Sequence, residues 1–241
     1  MINVKIGDAF NLMRSVSDKE YDLILTDPPY NLGLDYGMMT NDRRDDYKDW
    51  SKEWFNEAKR ISKSIIFTPG FDNLKMWITE IEYPKGIAVL YAPNQCCHSN
   101  LGGFNHYEPI LVYGKINLGY NVFKMIIKMQ TDTGEHPCPK QKESFKDILL
   151  ACNPKPVNVL DPFAGSGTTL RACRELNINC MGFEINPKYE RIIKGRALLN
   201  VPSLDAYVSD NEQSHETPDY QVRGMNGTGT SCCGTQRRMR K

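Results

Sequence analysis

Val157-Asn158-Val159-Leu160-Asp161-Pro162-Phe163-Ala164-Gly165-Ser166-Gly167-Thr168-Thr169 begins as an alternating apolar strand, runs into an acid, turns through Gly-x-Gly and starts a helix. This is the layout of a ligand site at the carboxyl end of a strand in an α/β sheet, where glycines let the backbone approach the ligand closely. Neither a full G-x-G-x-x-G fingerprint nor a G-x-x-x-x-G-K-[ST] phosphate loop is present, so the turn alone names no ligand. Further on, Cys180-Met181-Gly182-Phe183-Glu184 reads as a second strand, and its terminal acid suits the two hydroxyls of a ribose. Two strands thus end in acids, Asp161 and Glu184.

A matching pattern stands near the start of the chain, in Leu23-Ile24-Leu25-Thr26-Asp27-Pro28-Pro29-Tyr30. The apolar run predicts a buried strand that stops abruptly at an acid, two prolines and an aromatic ring. The prolines fix two φ angles and remove two donors, leaving the carbonyls of Asp27 and Pro28 to accept hydrogen bonds from a ligand. Such a rigid acceptor cluster beside a ring suits a planar base with an exocyclic amino group. Taken alone, the tetrapeptide also reads as a Pro-Pro turn with a surface tyrosine; its companion motif at 157–169 favours the functional reading.

Together the two motifs resemble the S-adenosylmethionine-dependent DNA amino-methyltransferases, which methylate adenine N6 or cytosine N4. The Asp27-Pro28-Pro29-Tyr30 motif precedes the cofactor loop in sequence, an order similar to the β group, a circular permutation of the usual fold. The resemblance covers roughly residues 1–200. It implies an α/β, Rossmann-like methyltransferase fold around a mostly parallel seven-stranded sheet. It also implies Asp27, Pro28, Pro29 and Tyr30 as catalytic residues, a flipped-out target base and a place in restriction-modification. S-adenosylmethionine would be held by Asp161, Pro162, Phe163, Ala164, Gly165, Ser166, Gly167, Thr168, Glu184 and Ile185. An acid beside the catalytic strand contacts the cofactor's adenine in the family; here Asp8, next to Ala9, resembles it, though Asp8 also reads as a helix N-cap. Glu135-His136-Pro137-Cys138-Pro139-Lys140 resembles the family's His-Pro-Thr segment at the methionine end of the cofactor, with Cys138 where threonine is usual. His136 is carried over, and Lys140 could meet the cofactor carboxylate. Asp in the first catalytic position favours adenine N6 over cytosine N4, the alternative target. Two further alternatives are an RNA substrate, and a nucleic-acid-binding module without turnover, suggested by Cys138 and the irregular sequence after Lys140.

Composition bounds these readings. The 241 residues, 40% hydrophobic and 24% charged, are enough for one well-buried α/β domain and too few for two substantial ones. A catalytic domain over 1–200 is expected, followed by a polar, disordered tail over 201–241 with the basic end Arg237-Arg238-Met239-Arg240-Lys241. A net charge of +1 gives no global attraction to DNA, so local basic clusters must supply it. Eight cysteines without a secretory signal or a long apolar run point to a reducing, cytoplasmic setting and no membrane. The adjacent pairs Cys96-Cys97 and Cys232-Cys233 do not have C-x-x-C spacing, so no metal is expected.

Along the chain, Ile2–Gly7 alternates as a strand and Ala9–Met13 as a helical turn. The polar segment Asn31–Asp49 carries Arg43 and Arg44, candidates for the DNA backbone. Tyr47, Trp50, Trp54, Phe55, Ala58 and Ile61 recur at helical spacing and read as core. Strands are expected at Ser64–Thr68, Gly86–Tyr91 and Pro109–Tyr113, and helices at Asp72–Ile81, through Leu150, at Thr168–Leu176 and at Pro187–Leu199. The amide- and aromatic-rich loop 92–108 suits base edges, with His106 and Tyr107 as pocket candidates, although His106 also reads as a hydrogen-bonded structural group. Lys115, Lys124 and Lys128 give either a phosphate-binding face or an ordinary amphipathic connector. The interval 114–135 is short for an independent reader of several base pairs, so a short or degenerate target, or recognition shared in a homodimer, is expected.

Overall fold

The structure is a computed structural model that describes residues 1–33, 43–93, 97–98, 104–125 and 142–195. Its main sheet has eight strands: β1 (Ile2–Ile6), β2 (Leu23–Thr26), β3 (Ser64–Phe67), β4 (Gly86–Tyr91), β5 (Tyr107–Gly114), β6 (Val122–Lys124), β7 (Asn158–Asp161) and β8 (Asn179–Glu184). Their order is β1-β8-β7-β2-β3-β5-β4-β6, and β5 alone runs against the others. The expected seven-stranded, mostly parallel sheet is present, with the three-residue β6 as an eighth strand on its edge beside β4.

All four residues of β2 are buried, as befits a strand with a layer on each face. Leu23 and Leu25 pack with Val159, Ile66 and Ile110 under helices α4 (Lys142–Ala151), α5 (Thr168–Glu175) and α6 (Lys188–Ile193). Ile24 faces the other way, with Ile65, Phe67 and Leu160, under α1 (Ala9–Arg14) and α2 (Tyr47–Ile61). Burying each such Leu or Ile contributes about 1.5–3 kcal/mol, so the central strands anchor both layers. The aromatic stripe of α2 is core as expected: Trp54 meets Phe67 and Trp77 edge-on at 5.3 and 5.4 Å, and Phe55 meets Trp77 edge-on at 5.4 Å and Phe67 at a tilt at 6.2 Å, with Trp50 only half-buried.

The helix expected at Asp72–Ile81 is shorter and irregular, a turn at Leu74–Met76 followed by a π-helical turn at Trp77–Ile81. The first half of the interval 114–135 is taken up by strand pairing: Asn117–Leu118 pairs with Cys152–Asn153 in a small separate two-stranded sheet, and Val122–Lys124 forms β6 of the main sheet. Residues 126–135 with Lys128, His136, Lys140, residues 196–199 of the helix expected at Pro187–Leu199, and the segment 201–241 expected as a tail, lie outside the described residues. No helix among the described residues is long and apolar enough to cross a membrane.

Candidate active site

Parallel register brings the carboxyl ends of β1, β8, β7 and β2 to one edge, because Ile6 pairs with Glu184, Asp161 with Gly182, and Leu160 with Ile24. Four acids therefore stand at the ends of four neighbouring strands: Asp8, Glu184, Asp161 and Asp27. Ligands of open α/β sheets bind in this crevice.

Asp8 caps α1, its carboxylate accepting the Asn11 amide at 3.0 Å, so the capping reading of this residue describes the geometry. Ala9 begins that helix and is buried. At β8, the two Glu184 oxygens accept the Gly165 and Asn186 amides, both at 2.8 Å, which ties the glycine turn to the neighbouring strand. Gly165 and Gly167 have φ of 51° and 85°, the left-handed conformations that make this turn a glycine site. Asp161 accepts the Thr26 hydroxyl at 2.6 Å and the Phe163 amide at 3.1 Å. Pro162, Ala164, Ser166 and Thr168 complete the turn into α5, whereas Ile185 lies half exposed beyond Glu184.

Burial pushes Asp161 up to about 6, against hydrogen bonds from Thr169, Thr26 and Phe163. Burial likewise pushes Glu184 up to about 7, against the Asn186 and Gly165 amides, and the charge of Asp161 adds to the effect. Both folded values exceed the ordinary 3.8 and 4.5, so the native state holds protons more tightly than the unfolded chain. Their contribution to stability is full below about pH 4 and is lost as the pH rises through 6 to 7. Asp22 and Glu175, which are held low by hydrogen bonds and lysines against an opposing desolvation, act in the other direction on further acidification. The unliganded protein is expected to melt several degrees higher at pH 5 than at pH 8, on the order of a few kcal/mol, and Glu184→Gln to flatten part of that slope. Melting curves across this range test it; a protein more stable at pH 8 would contradict the assignment.

At the end of β2, Asp27 Oδ1 accepts the hydroxyls of both Tyr30 and Thr68. The Tyr30 hydroxyl also contacts Glu108 Oε1 at 2.5 Å. Pro28 is buried in the turn, and Pro29 offers its carbonyl to the Tyr47 hydroxyl at 2.8 Å. Asn73 donates to the carbonyls of Tyr30 at 2.9 Å and Pro69 at 3.2 Å. Beneath the ring lies Gly70, with φ of 73°, where a Cβ would stand 2.9 Å from Tyr30 Cγ. The tetrapeptide is thus held by α2, by β5 and by the segment after β3. Trp50 spans the two halves of the site, stacked on Tyr47 at 5.6 Å and tilted against Phe163 at 5.7 Å.

The substrate-contact candidates sit farther out. Arg44 forms a two-pronged ion pair with Asp46, both bonds at 2.9 Å, lies 5.6 Å from the Trp50 ring centre, and has its backbone clasped by Asn31. Arg43 is exposed beside it. His106 is exposed just before β5, and Tyr107, 43% exposed, packs edge-on against Phe71 at 5.6 Å. Sequence reasoning passed over Thr26, Thr68, Gly70, Asn73 and Glu108. For Glu108 a signal existed: it is a charged residue in an otherwise apolar strand, adjacent to two residues already singled out.

Comparisons with known proteins agree with this fold. The family described as DNA methylase, of the N6/N4 methyltransferase type, matches residues 21–130 and 121–195. The chain is 27% identical over 230 residues to the type II methyltransferase M.HpaI of Haemophilus parainfluenzae, covering 79% of this chain and 72% of that protein. Its fold is similar to that of the PvuII DNA methyltransferase, described as cytosine-N4-specific, with a TM-score of 0.66 at 16% identity over 87% of this chain and 91% of that one. It is also similar to M1.HpyAVI, solved as a complex with SAM, with a TM-score of 0.59 at 23% identity over 83% of this chain and all of that one (100%).

Proposed function

The chain belongs to the N6/N4 DNA methylase family, and on that premise we propose that it transfers a methyl group from S-adenosylmethionine to the exocyclic N6 of adenine in DNA. The observation that carries this reading is the placement of Asp27 and Tyr30 directly after β2, the strand beside the one that ends in Asp161 and two strands from the one that ends in Glu184, at the carboxyl edge of a single sheet.

The residues present fit the cofactor. Glu184 is a carboxylate acceptor for a ribose diol, the turn 161–168 presents backbone close to the crevice, and Phe163 and Trp50 form an apolar wall beside it. When bound, S-adenosylmethionine supplies an electrophilic methyl group on a sulfonium. A buried carboxylate raised to about 7 hydrogen-bonds a diol better once ionised, so cofactor affinity should follow the ionisation of Glu184.

An amino nitrogen conjugated to a purine is a poor nucleophile, because its lone pair is delocalised into the ring. Accepting its N–H bonds with the Asp27 carboxylate and the Pro28 carbonyl draws electron density back onto nitrogen and orients it for in-line attack. The Tyr30 and Thr68 hydroxyls hold that carboxylate in place from behind. The amino group is out of reach inside a stacked duplex, so the base must be flipped, and stacking on Tyr30 would be worth about 1–3 kcal/mol. Gly70 packs against the ring of Tyr30 and fixes its position.

Asp in the first position of the tetrapeptide supports adenine; the likeness to a cytosine-N4-specific enzyme makes N4 of cytosine the second reading. Mass spectrometry of nucleosides from DNA treated with protein and labelled S-adenosylmethionine is expected to show N6-methyladenine. N4-methylcytosine without N6-methyladenine would replace the first reading by the second.

A further inference from the structure

Glu108 is 6% exposed on β5, in register with Leu90 of β4 and followed by Pro109 and the buried Ile110 and Leu111. A carboxyl group buried there is costly unless it is hydrogen-bonded. Its Oε1 lies 2.5 Å from the Tyr30 hydroxyl, which also meets Asp27 Oδ1. A phenol carries one proton and can donate to only one of two carboxylates at a time. Tyr30 therefore bridges the carboxylate beside the target amino group to a second carboxylate away from it.

Resting on the methyl-transfer reading above, we propose that Glu108 is the destination of the proton released by the reaction, reached from Asp27 through the Tyr30 hydroxyl. Methylation leaves the amino nitrogen with one proton too many. As its N–H bond breaks, an O–H bond forms on Asp27. Asp27 then passes a proton to the Tyr30 oxygen while Tyr30 gives its own to Glu108, so the phenol ends unchanged and Glu108 ends neutral. Bonds and charge balance without any further reactant. Burial, with Asp27 and Glu108 alongside, pushes the phenol well above its ordinary range, so Tyr30 conducts the proton and does not store its loss. Glu108 acts through Tyr30 and is a positioning residue, not one that touches the base. Among the described residues, the charged groups facing the network include Asp27 after β2, Glu108 on β5 and, across from Asp27, Asp161 at the end of β7.

Only when Asp27 and Glu108 are both ionised can the network accept the reaction's proton, so the relay predicts that Glu108 contributes to the acidic limb of the kcat profile. Glu108→Gln keeps an acceptor oxygen for Tyr30 but cannot take the proton. The variant is expected to bind S-adenosylmethionine within about twofold of wild type, lose about tenfold or more in kcat, and show an acidic limb displaced to lower pH. Tyr30→Phe should displace the limb the same way, and adding Glu108→Gln to it should cost nothing further, since both changes cut one path. Calorimetric cofactor binding establishes that each variant is folded. A Glu108→Gln enzyme with unchanged kcat, or with lower kcat and an unmoved limb, would overturn the relay and leave methyl transfer standing. A wild-type protein that methylates no amino group on DNA would remove the underlying reading and the relay with it.

Discussion

Asp27→Ala is expected to lower methyl transfer by about 10³-fold or more while leaving S-adenosylmethionine binding within a few-fold of wild type. The size of the effect follows from how many functions converge on one carboxylate. Asp27 would accept the amino N–H in the transition state, and in the structure it also receives the Tyr30 and Thr68 hydroxyls. Alanine removes the acceptor and leaves two hydroxyls to turn elsewhere, so both the electrostatics and the position of Tyr30 are lost. The proposed cofactor contacts fall on other strands, at Glu184 on β8 and the turn after β7, and the substitution does not touch these residues. Asp27→Asn separates the two roles, since it keeps an acceptor oxygen but not a group that can take a proton. Single-turnover transfer of a labelled methyl group to DNA, with cofactor affinity measured by calorimetry, checks both expectations. Activity of the alanine variant within tenfold of wild type would discard the proposed role.

The second large effect is expected at a residue that touches no substrate. Gly70 has φ of 73°, and a Cβ built there would stand 2.9, 3.1 and 3.2 Å from Cγ, Cδ2 and Cδ1 of Tyr30. These atoms are the root of the ring, which cannot give way as the end of a flexible chain would. In Gly70→Ala the ring must move outward, and its hydroxyl then leaves Asp27 and Glu108. A displacement approaching 1 Å at a reacting group can cost about 10²-fold, and kcat is expected to fall by about 10- to 100-fold. The left-handed backbone adds about 1–2 kcal/mol of strain for alanine, a loss of several degrees in Tm. Steady-state kinetics beside melting curves separates the two effects. A variant that melts lower yet retains full kcat would show that the ring's position over Gly70 is unimportant to transfer.

Much of this protein is written locally in its chain. A parallel strand covered on both faces must be apolar almost throughout, so β2 and β7 announce themselves as short apolar runs, and each ends where a polar or proline-rich turn can no longer be buried. Asp27 and Asp161 are legible for that reason, and the glycines at 165 and 167 are legible because only a residue without a side chain takes the turn easily. The helical stripe of α2 follows from the same burial argument at a different period.

What the chain does not spell out is everything that depends on which strands become neighbours. Thr26 looks like one more strand residue until β7 settles beside β2 and Asp161 meets its hydroxyl, across 135 positions of sequence. Glu108 reads as a strand residue next to a conspicuous histidine and tyrosine. Only the antiparallel pairing of β5 with β3, which sits next to β2, turns its carboxylate to Tyr30, 78 positions away. The eighth strand is equally invisible, since three residues carry no periodicity of their own and gain their structure from the exposed edge of β4. Local burial and backbone stereochemistry act within a few residues and leave their mark on composition. Strand order and register are fixed by the joint packing of the whole sheet, and they decided which buried polar groups came to share a proton.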